Sequence, residues 1–351
     1  MAAPLLAALF LAACAAVPPA PTTGAEAVAV LHAETRPAIS TLVTVTVLAP
    51  PGPATSAAID AAFAVFARID EGMNEWRPDS PLSALNAAAG SGRPVALPPD
   101  LCQVLRAARD GAARTGGLFD PTWAALRGAW RFGDGEDRRV PPADEVARLC
   151  PLVSWRDLEI DPPGDPATPS PCTARLRRAG MQVGLGGIAK GWGVDRAVEE
   201  LRRRGFRNFT VQAGGDLYAA GTRGGRPWRV GIRDPRSAAG EPFAWLPVKD
   251  AAFSTSGDSE RFFVEDGVRH HHIIDTRTCR PATASRQVSV LAPTAIEAEI
   301  LGKAVFALGG EEGLALAARS GASAVIVTAA NQVVSSPPLS GRLEMVRPPT
   351  P

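Results

Sequence analysis

The chain has 351 residues, 46% of them hydrophobic, and a formal net charge of +1. This length suits one large domain with insertions or two ordinary domains. The near-zero charge argues against nucleic acid or an anionic membrane as a partner of the whole surface. Only three of the 37 cationic residues are lysines, namely Lys190, Lys249 and Lys303. A lysine is therefore unusual enough in this chain to be examined for a functional role.

The N-terminal segment predicts export. Residues 3–13 form an apolar run too short to span a bilayer as a mature helix. The run ends in LAAC (residues 11–14), which resembles the lipobox of bacterial lipoproteins, so residues 1–14 are predicted to be a signal peptide ending at a lipidated Cys14. We then expect a membrane-anchored protein that faces the periplasm, with a plain secretory signal as the alternative. Residues 15–35 contain prolines and small residues and predict a flexible tether.

Strand and helix patterns follow in a mixed order. Residues 41–48 are rich in β-branched residues and predict a strand, whereas residues 59–73 and 101–115 have the apolar spacing of helices. A glycine-rich turn at 184–191 opens another helix that runs to about residue 204. Shorter elements are predicted as a helix at 142–149, a proline-rich surface loop at 162–171, and strands at 158–161, 209–212, 228–233, 244–249, 261–264, 271–274, 287–291 and 324–328.

The last helix is predicted to begin after Thr294, because Thr294 and Glu297 have the spacing of a capping box, and to end at Gly309. Strands and helices in this order predict an α+β fold with mixed, largely antiparallel sheets and packed helices. Among the cysteines, Cys150 and Cys172 could pair across the proline-rich loop, since an exported protein can form disulfides. No Cys/His spacing in the sequence is typical of a zinc site.

The segment VGLGGIAKGWGVDRAVEEL (183–201) carries the clearest binding signal. Glycines before a helix let backbone N–H groups approach a ligand, and the helix N-terminus favours an anion. With Lys190 at that end, the segment suits a phosphate or diphosphate. Two alternatives remain. Gly184, Gly186 and Ala189 also match the G-x-G-x-x-A pattern of an NAD-dependent oxidoreductase, and a plain glycine turn can cap a helix.

Two further segments contain candidate catalytic residues. FSTSGDSERFF (253–263) predicts a hydrogen-bonded turn between strands, in which Thr255 and Ser256 offer donors to phosphate or ribose oxygens. RHHHIIDTRTCRPA (269–282) contains three consecutive histidines, of which the first and third share one face of a strand. Adjacent histidines of this kind favour a hydrogen-bonding or acid–base role over a metal site.

These segments, in this order, resemble the FAD:protein FMN transferase family (the ApbE type) over roughly residues 36–310. The resemblance rests on seven stretches: EGMNEWRPDSPLSALN (71–86), GGLFDPTWAAL (116–126), LGGIAKGWGVDRA (185–197), QAGGDLYAAG (212–221), FSTSGDSERFF (253–263), HHIIDTRTCRPA (271–282) and SVLAPTAIEAEILGKAVFALG (289–309). Seven such stretches in family order are highly specific. The resemblance implies a T-fold-like architecture, a catalytic domain at 36–340 and a C-terminal tail at 341–351.

The resemblance also implies a reaction. FAD, the substrate, binds with its diphosphate near a divalent cation, usually magnesium, and a Thr or Ser hydroxyl of an acceptor redox flavoprotein attacks the FMN-side phosphorus. FMN becomes attached through a phosphoester bond and AMP leaves. Such transfers need positioning and charge neutralisation more than covalent chemistry. A non-catalytic FAD-binding lipoprotein and an FAD pyrophosphatase that yields FMN and AMP are the alternative functions.

By motif position, the resemblance assigns candidate site residues. Those expected to contact FAD are Ile39, Trp76, Leu118, Phe119, Asp120, Gly184, Lys190, Ser256, Gly257 and Ile273. Trp76 is expected to stack on the isoalloxazine ring, with a core aromatic as the alternative. Lys190, Asp258 and His272 are the candidate catalytic residues, and either Asp258 or His272 handles the proton of the acceptor hydroxyl.

The metal positions depart from the family pattern. The family typically has an Asp and, four residues later, a Thr or Ser as metal ligands, where this chain has Glu299 and Lys303. These two side chains face the same side of the helix, in a cleft or as an exposed pair. Glu can bind magnesium, but a charged Lys has no lone pair to give. Two hypotheses follow: Lys303 replaces part of the metal's charge, or the cation shifts toward Glu299 and backbone carbonyls near Gly187 and Ala189.

Overall fold

The structure is a computed structural model that describes residues 28–132 and 138–351. The helices are α1 (Pro53–Gly72), α2 (Pro81–Ala87), α3 (Pro99–Arg114), α4 (Ala143–Leu149), α5 (Ala189–Arg203), α6 (Ala295–Leu308) and α7 (Gly310–Arg319). The strands are β1 (Val30–Ala38), β2 (Thr41–Ala49), β3 (Val95–Leu97), β4 (Arg131–Phe132), β5 (Arg138–Arg139), β6 (Leu158–Asp161), β7 (Cys172–Leu176), β8 (Phe209–Ala213), β9 (Asp216–Ala220), β10 (Trp228–Arg233), β11 (Pro242–Val248), β12 (Ala251–Gly257), β13 (Phe262–Glu265), β14 (Val268–His271), β15 (Ile274–Asp275), β16 (Arg280–Pro281), β17 (Ser285–Ala292), β18 (Ser323–Thr328), β19 (Val333–Ser335) and β20 (Glu344–Met345).

An eight-stranded sheet forms the centre of the fold. Its order is β1-β2-β8-β9-β12-β17-β18-β19, and every neighbouring pair is antiparallel. The valines of β2 alternate with more exposed residues, as expected for a strand with one buried face. The central strands β12 and β17 are buried along most of their length because both of their faces are covered.

Two layers cover the central sheet. Helices α1, α5 and α6 pack on one face, and their apolar side chains form the larger core with the inward residues of β2, β8 and β17. A three-stranded sheet, β10-β11-β20, forms a smaller core through Trp228 and Phe243 with residues of the central sheet such as Phe253 and Val327. This arrangement places the starts of α5 and β9 beside α6 and β12.

Most predicted elements are confirmed, including the helix that follows Thr294, whose hydroxyl accepts the backbone N–H of Glu297. The predicted α+β class with largely antiparallel sheets is also confirmed. The turn predicted over 253–263 is wrong in its first half, because residues up to Gly257 form the central strand β12. Within the described residues, no helix is both long and apolar enough to cross a membrane.

The predicted boundaries at the two chain ends also change. Cys14 and residues 15–27 lie outside the described residues, whereas residues 30–35 of the predicted tether belong to β1, which pairs with β2. The predicted tail is not detached either. It contributes β20, and Thr350 donates its backbone N–H and its hydroxyl to Asp234 at 3.0 and 2.7 Å.

Two disulfides join segments that are distant in the sequence. They link Cys102 to Cys172 and Cys150 to Cys279. The pairing of Cys150 with Cys172 that the sequence suggested is therefore wrong. The second bridge attaches the segment after the histidines to the end of α4, and the indole N–H of Trp130 donates to the carbonyl oxygen of Cys279 at 2.9 Å.

We expect the double substitution Cys150→Ala and Cys279→Ala to lower the free energy of unfolding by about 2–4 kcal/mol, because the bridge spans a sequence separation of 129 residues and constrains the unfolded chain. Urea unfolding of the oxidised proteins measures the difference. Reductant should destabilise the double variant further through the Cys102–Cys172 bridge. Labelling of Cys150 and Cys279 by a thiol reagent in the oxidised native protein would contradict the pairing.

Candidate active site

A buried ion cluster lies where the starts of α5 and β9 meet α6. The ammonium group of Lys190 forms an ion pair with Glu299 and lies 3.2 Å from Asp216 Oδ2. It also donates to the carbonyl oxygen of Gly186 at 3.2 Å. Lys303, one helical turn after Glu299, places its Nζ 4.0 Å from Glu299 Oε1. The residues predicted separately from the glycine turn and the last helix therefore belong to one site.

The electrostatics of this cluster follow from its burial. Glu299 is fully buried and Asp216 nearly so. Burial and the neighbouring Asp216 raise the pKa of Glu299. Burial opposes the charge of Lys190, but the two carboxylates outweigh it and raise the pKa of that ammonium group. Burial lowers the pKa of Lys303, against the attraction of Glu299. Two buried carboxylates thus face two ammonium groups whose side chains remain partly exposed.

One face of β12 presents hydroxyl groups to the cluster. Ser254 donates to the carboxylate of Asp216, and Ser256 accepts a hydrogen bond from Lys303 Nζ at 3.1 Å. Thr255 lies on the opposite face of the strand, where it bonds to a serine of β17. The prediction for Ser256 as a site residue fits this geometry. Thr255 does not reach the cluster because successive side chains of a strand point to opposite faces.

The N-terminus of α5 already holds an anion. The backbone N–H of Gly191 donates to Glu299 Oε2 at 2.8 Å. A carboxylate of the protein therefore occupies the helix N-terminus at which the sequence predicted a phosphate. The glycine turn before the helix remains open. Within the described residues, the backbone N–H groups of Gly186 and Gly187 make no hydrogen bond. A carbon added to Gly187 would lie 3.4 Å from the ring of Phe119, so this turn passes close to the phenylalanine motif.

The two candidate proton acceptors differ in their surroundings. The carboxylate of Asp258 forms a bidentate ion pair with Arg236, with N–O distances of 2.5 and 2.7 Å. His272 Nδ1 is buried and has no hydrogen-bond partner among the described residues. Burial and then the charge of Lys303 lower the pKa of His272 to about 3. His272 is therefore neutral at pH 7 and lies on the Lys303 side of the site.

The other two histidines of the 269–282 stretch have roles within the fold. His271 donates from Nε2 to the carbonyl oxygen of Ala282 at 2.8 Å, and burial lowers its pKa. His270 stacks on Phe263, with ring centroids 5.1 Å apart, and lies 5.9 Å from the ring of Trp130. The predicted sharing of one strand face by the first and third histidines does not hold, because β14 ends at His271.

Trp76 lies on the surface, with 69% of its area exposed. This exposure excludes the alternative that it is a core aromatic. The guanidinium carbon of Arg127 lies 4.4 Å from the centre of the Trp76 ring, and Arg127 also donates to Glu75 at 2.8 Å. A carbon added to Gly184 would lie 2.9 Å from Arg127, so the glycine lets the guanidinium pass. An indole with one free face is suited to stacking on a planar ligand.

Several other candidates have roles within the fold. Asp120 accepts hydrogen bonds from the backbone N–H and hydroxyl of Thr122 at 2.8 and 2.6 Å and from the backbone N–H of Trp155 at 2.8 Å. Its carboxylate therefore positions the 120–122 turn rather than facing a ligand, and burial raises its pKa. Ile273 is buried, and Leu118 packs against the core.

Ile39 occupies the turn between β1 and β2 with a positive φ of 44°. It lines a cavity of about 670 Å³ together with Phe63 and Phe66 of α1. Gly257 ends β12, directly before the ion-paired Asp258. Within the described residues, Ile39 and Gly257 form no hydrogen bond with the ion cluster.

A divalent cation does not fit the predicted metal position. Both oxygens of Glu299 are engaged, one by Lys190 and one by the Gly191 N–H. Ala189 is the first residue of α5, where the carbonyl oxygen enters the helical ladder. The described residues include no group of three or more His, Cys, Asp or Glu side chains that could hold a metal. An ion of charge +2 placed 4 Å from the Lys303 ammonium group would be repelled by roughly 8 kcal/mol at an effective dielectric of 20. The predicted ligands Gly187, Ala189 and Glu299 therefore do not form a magnesium site.

Three residues of the site were not predicted from the sequence. Asp216 forms part of the ion cluster, and Ser254 and Arg236 hold carboxylates in place. The stretch at 212–221 could have indicated Asp216. Two glycines predict a tight turn, and the carboxylate that follows them begins the next strand. Arg236 carried no such signal, since its partner Asp258 is brought to it only by the folding of two separate loops.

Comparisons with known proteins identify the family and the fold. The sequence profile of the ApbE family matches residues 39–327. Similar proteins include the FAD:protein FMN transferases of Treponema pallidum (36% identity over 270 residues, 74% of each chain) and Rhodobacter capsulatus (33% over 290 residues, 80% of this chain and 52% of that protein). A crystal structure of the ApbE protein of Thermotoga maritima superimposes with a TM-score of 0.79 and 28% identity, covering 89% of this chain and 99% of that chain.

Asp195 fixes the two helices of the site to each other. Its carboxylate on α5 accepts the backbone N–H groups of Ala295 and Ile296, at the start of α6, at 2.8 and 2.9 Å. Burial raises the pKa of Asp195 to about 7, although these two hydrogen bonds favour the charged carboxylate and lower the pKa.

The stability of the fold should therefore depend on the protonation of Asp195. Because the pKa of Asp195 in the folded state lies above its ordinary value of 3.8, the folded state binds the proton more tightly than the unfolded state does. Proton binding by Asp195 therefore stabilises the fold fully below about pH 4, and this stabilisation is lost as the pH rises to about 7. Relative to Asp195→Asn, the wild-type protein should lose on the order of 2 kcal/mol between pH 4.5 and pH 7.5. Urea unfolding at both pH values measures this, with Glu265→Gln at the exposed end of β13 as the control. A difference between wild type and Asp195→Asn that does not change with pH would refute the prediction.

Proposed function

The chain belongs to the ApbE family, and we propose that it is an FAD:protein FMN transferase, which moves the FMN half of FAD onto a Thr or Ser hydroxyl of an acceptor redox flavoprotein. The observation that carries the proposal is the juxtaposition of Lys190, Lys303 and Ser256 beside the open glycine turn. Cations and hydrogen-bond donors at one point suit a diphosphate, which needs neutralisation during transfer. The family match supplies the identity of the diphosphate ligand as FAD.

FAD is proposed to lie with its diphosphate at the glycine turn. The unbonded N–H groups of Gly186 and Gly187 and the ammonium group of Lys303 are available to phosphate oxygens there. Lys190 uses its three N–H donors on Glu299, Asp216 and the carbonyl oxygen of Gly186, so it acts as a positioning residue for the turn. The free face of Trp76 is the proposed stacking surface for the isoalloxazine ring.

In the proposed step, the acceptor hydroxyl oxygen bonds to the FMN-side phosphorus. The bond from that phosphorus to the bridging oxygen breaks, and AMP leaves with the electron pair.

The hydroxyl proton is proposed to pass to His272, which has an unpaired ring nitrogen, rather than to Asp258, which is occupied by Arg236. The negative charge of the bound diphosphate would offset the charge of Lys303 that lowers the pKa of His272, and so would make the imidazole a stronger base. We expect His272→Asn to lower the transfer rate more than Asp258→Asn does.

The cellular location is part of the proposal. The lipobox sequence at residues 11–14 supports export and lipidation at Cys14, with the catalytic part facing the periplasm. The two disulfides support the same location, because such bridges persist in oxidising compartments. Magnesium is not assigned a role, since the described residues do not provide its ligands.

Transfer is tested by incubating the protein with FAD and a candidate acceptor domain, beside the same domain with its Thr changed to Ala, followed by in-gel flavin fluorescence. We expect a fluorescent acceptor band that the Thr→Ala change removes. Release of free FMN and AMP without labelling would identify a pyrophosphatase. FAD that stays bound and intact with every acceptor would identify a flavin-binding protein.

The contribution of Lys190 is tested by Lys190→Met. The rate of FMN transfer should fall by about 100-fold or more, because Glu299 then loses its partner in a closed space and the glycine turn loses its tether. Lys249→Met is the matched control, since Lys249 is an exposed residue between β11 and β12 and is not part of the ion cluster. Equal activity of the two variants would remove Lys190 from the catalytic machinery.

Lipidation is tested by Cys14→Ala in the bacterial host. The wild-type protein should partition with membranes and gain the mass of a lipid, whereas the variant should not be lipidated. A wild-type protein found without lipid in the soluble periplasmic fraction would favour the plain secretory signal instead.

A further inference from the structure

We propose that the ammonium group of Lys303 takes the place of a divalent cation at the FAD diphosphate, so that FMN transfer by this protein needs no metal. The inference rests on the proposed function, because it concerns the same site and the same substrate. It starts from the disagreement described above between the residues present and the magnesium ion that the family implies.

The position of Lys303 brings its charge to the required place. Its Nζ lies 3.1 Å from Ser256 Oγ on β12 and 4.0 Å from Glu299 Oε1 on its own helix. A carbon added to Gly187 would lie 3.9 Å from Lys303 Cε, so the side chain runs alongside the open glycine turn. The ammonium group is thus enclosed by three separate elements that meet where phosphate is proposed to bind.

The balance of charges in the cluster leaves no net attraction for a divalent metal ion. Asp216 and Glu299 are the two carboxylates of the cluster, and Lys190 and Lys303 are its two ammonium groups. A divalent ion would have to displace one ammonium group from a buried carboxylate. Phosphate oxygens, in contrast, can accept the hydrogen bonds that the Lys303 ammonium group and the N–H groups of Gly186 and Gly187 have left to give.

Lys303 also retains donors for a ligand. An ammonium group has three N–H donors, and within the described residues the hydrogen bond to Ser256 is the one that Lys303 makes. Its side chain is 22% exposed, so an incoming ligand can reach it. In the transfer step, Lys303 would keep its proton and neutralise the charge that develops on the leaving AMP phosphate.

The first experiment uses the unmodified protein. Initial rates of FMN transfer are measured in excess chelator and in excess Mg²⁺, after removal of metals from FAD and acceptor. We expect the two rates to agree within about threefold. A loss of more than about 100-fold in chelator, restored by Mg²⁺, would overturn the proposal.

The second experiment replaces Lys303 with the type of residue that the family typically has at this position. Lys303→Thr places a neutral hydroxyl at that position, and we expect its transfer rate to become dependent on Mg²⁺. We also expect paramagnetic resonance to detect Mn²⁺ bound to the variant–FAD complex and no Mn²⁺ bound to the wild-type complex beyond that held by free FAD. Transfer by Lys303→Thr that is as fast in chelator as the wild type would show that Lys303 does not carry the function.

The third experiment separates this inference from the transferase proposal, because it needs no turnover. FAD affinity is measured by flavin fluorescence in chelator for the wild type, Lys303→Met and the control Lys249→Met, with thermal unfolding to establish that each variant is folded. Lys303→Met should weaken binding at least tenfold and Lys249→Met should not. Absence of transfer under every condition would refute the proposed function, whereas equal FAD affinity of all three proteins would refute the role of Lys303.

Discussion

The carboxylate of Glu299 is the constraint on which the site is built. A carboxylate with no exposed surface costs several kcal/mol unless cations and hydrogen-bond donors replace its water. In this fold the replacement comes from another helix, through the side chain of Lys190 and the backbone N–H of Gly191. The start of α5 is therefore held against the middle of α6, and the glycine turn before α5 is held with it. Asp216 is the second carboxylate beside Lys190, and the charge of Lys303 completes the balance of two carboxylates and two ammonium groups.

Close packing of backbones makes this contact possible. A side-chain carbon on Gly191 would come within 2.6 Å of the carbonyl oxygen of Ala295, and one on Gly193 within 2.6 Å of Ile69. The absence of side chains at both positions lets α5 approach α6 and α1, so that a backbone N–H can reach Glu299. Gly302 serves the same purpose on the other side of α6, where a side chain would press on Ser256. The glycines of this region thus set helix spacing as well as loop shape.

The parts that sequence reasoning predicted are those determined by local patterns. The last helix has a capping threonine and apolar periodicity, and both appear in the structure at the expected residues. The central strand β12 could not be predicted, because its Ser- and Gly-rich sequence is typical of turns; its extended form depends on pairing with β9 and β17. The bridge from Cys150 to Cys279 depends in the same way on packing between distant segments. The spacing of Glu299 and Lys303 predicted that they share a helix face, but the partner Lys190 comes from a different helix.

The scarcity of lysine shows how closely the ion cluster depends on the shape of its cations. Three of 37 cationic residues are lysines, and two of these three lie within one buried cluster. The cluster has the compact ammonium group although nearly every other cation of the chain is an arginine. The reason is steric, since a planar guanidinium group with five donors cannot replace a compact ammonium group in a space closed by α5, α6 and β12 without leaving donors unpaired. The two lysines of the cluster are therefore explained by the space around them and not by the overall preference of the chain for arginine.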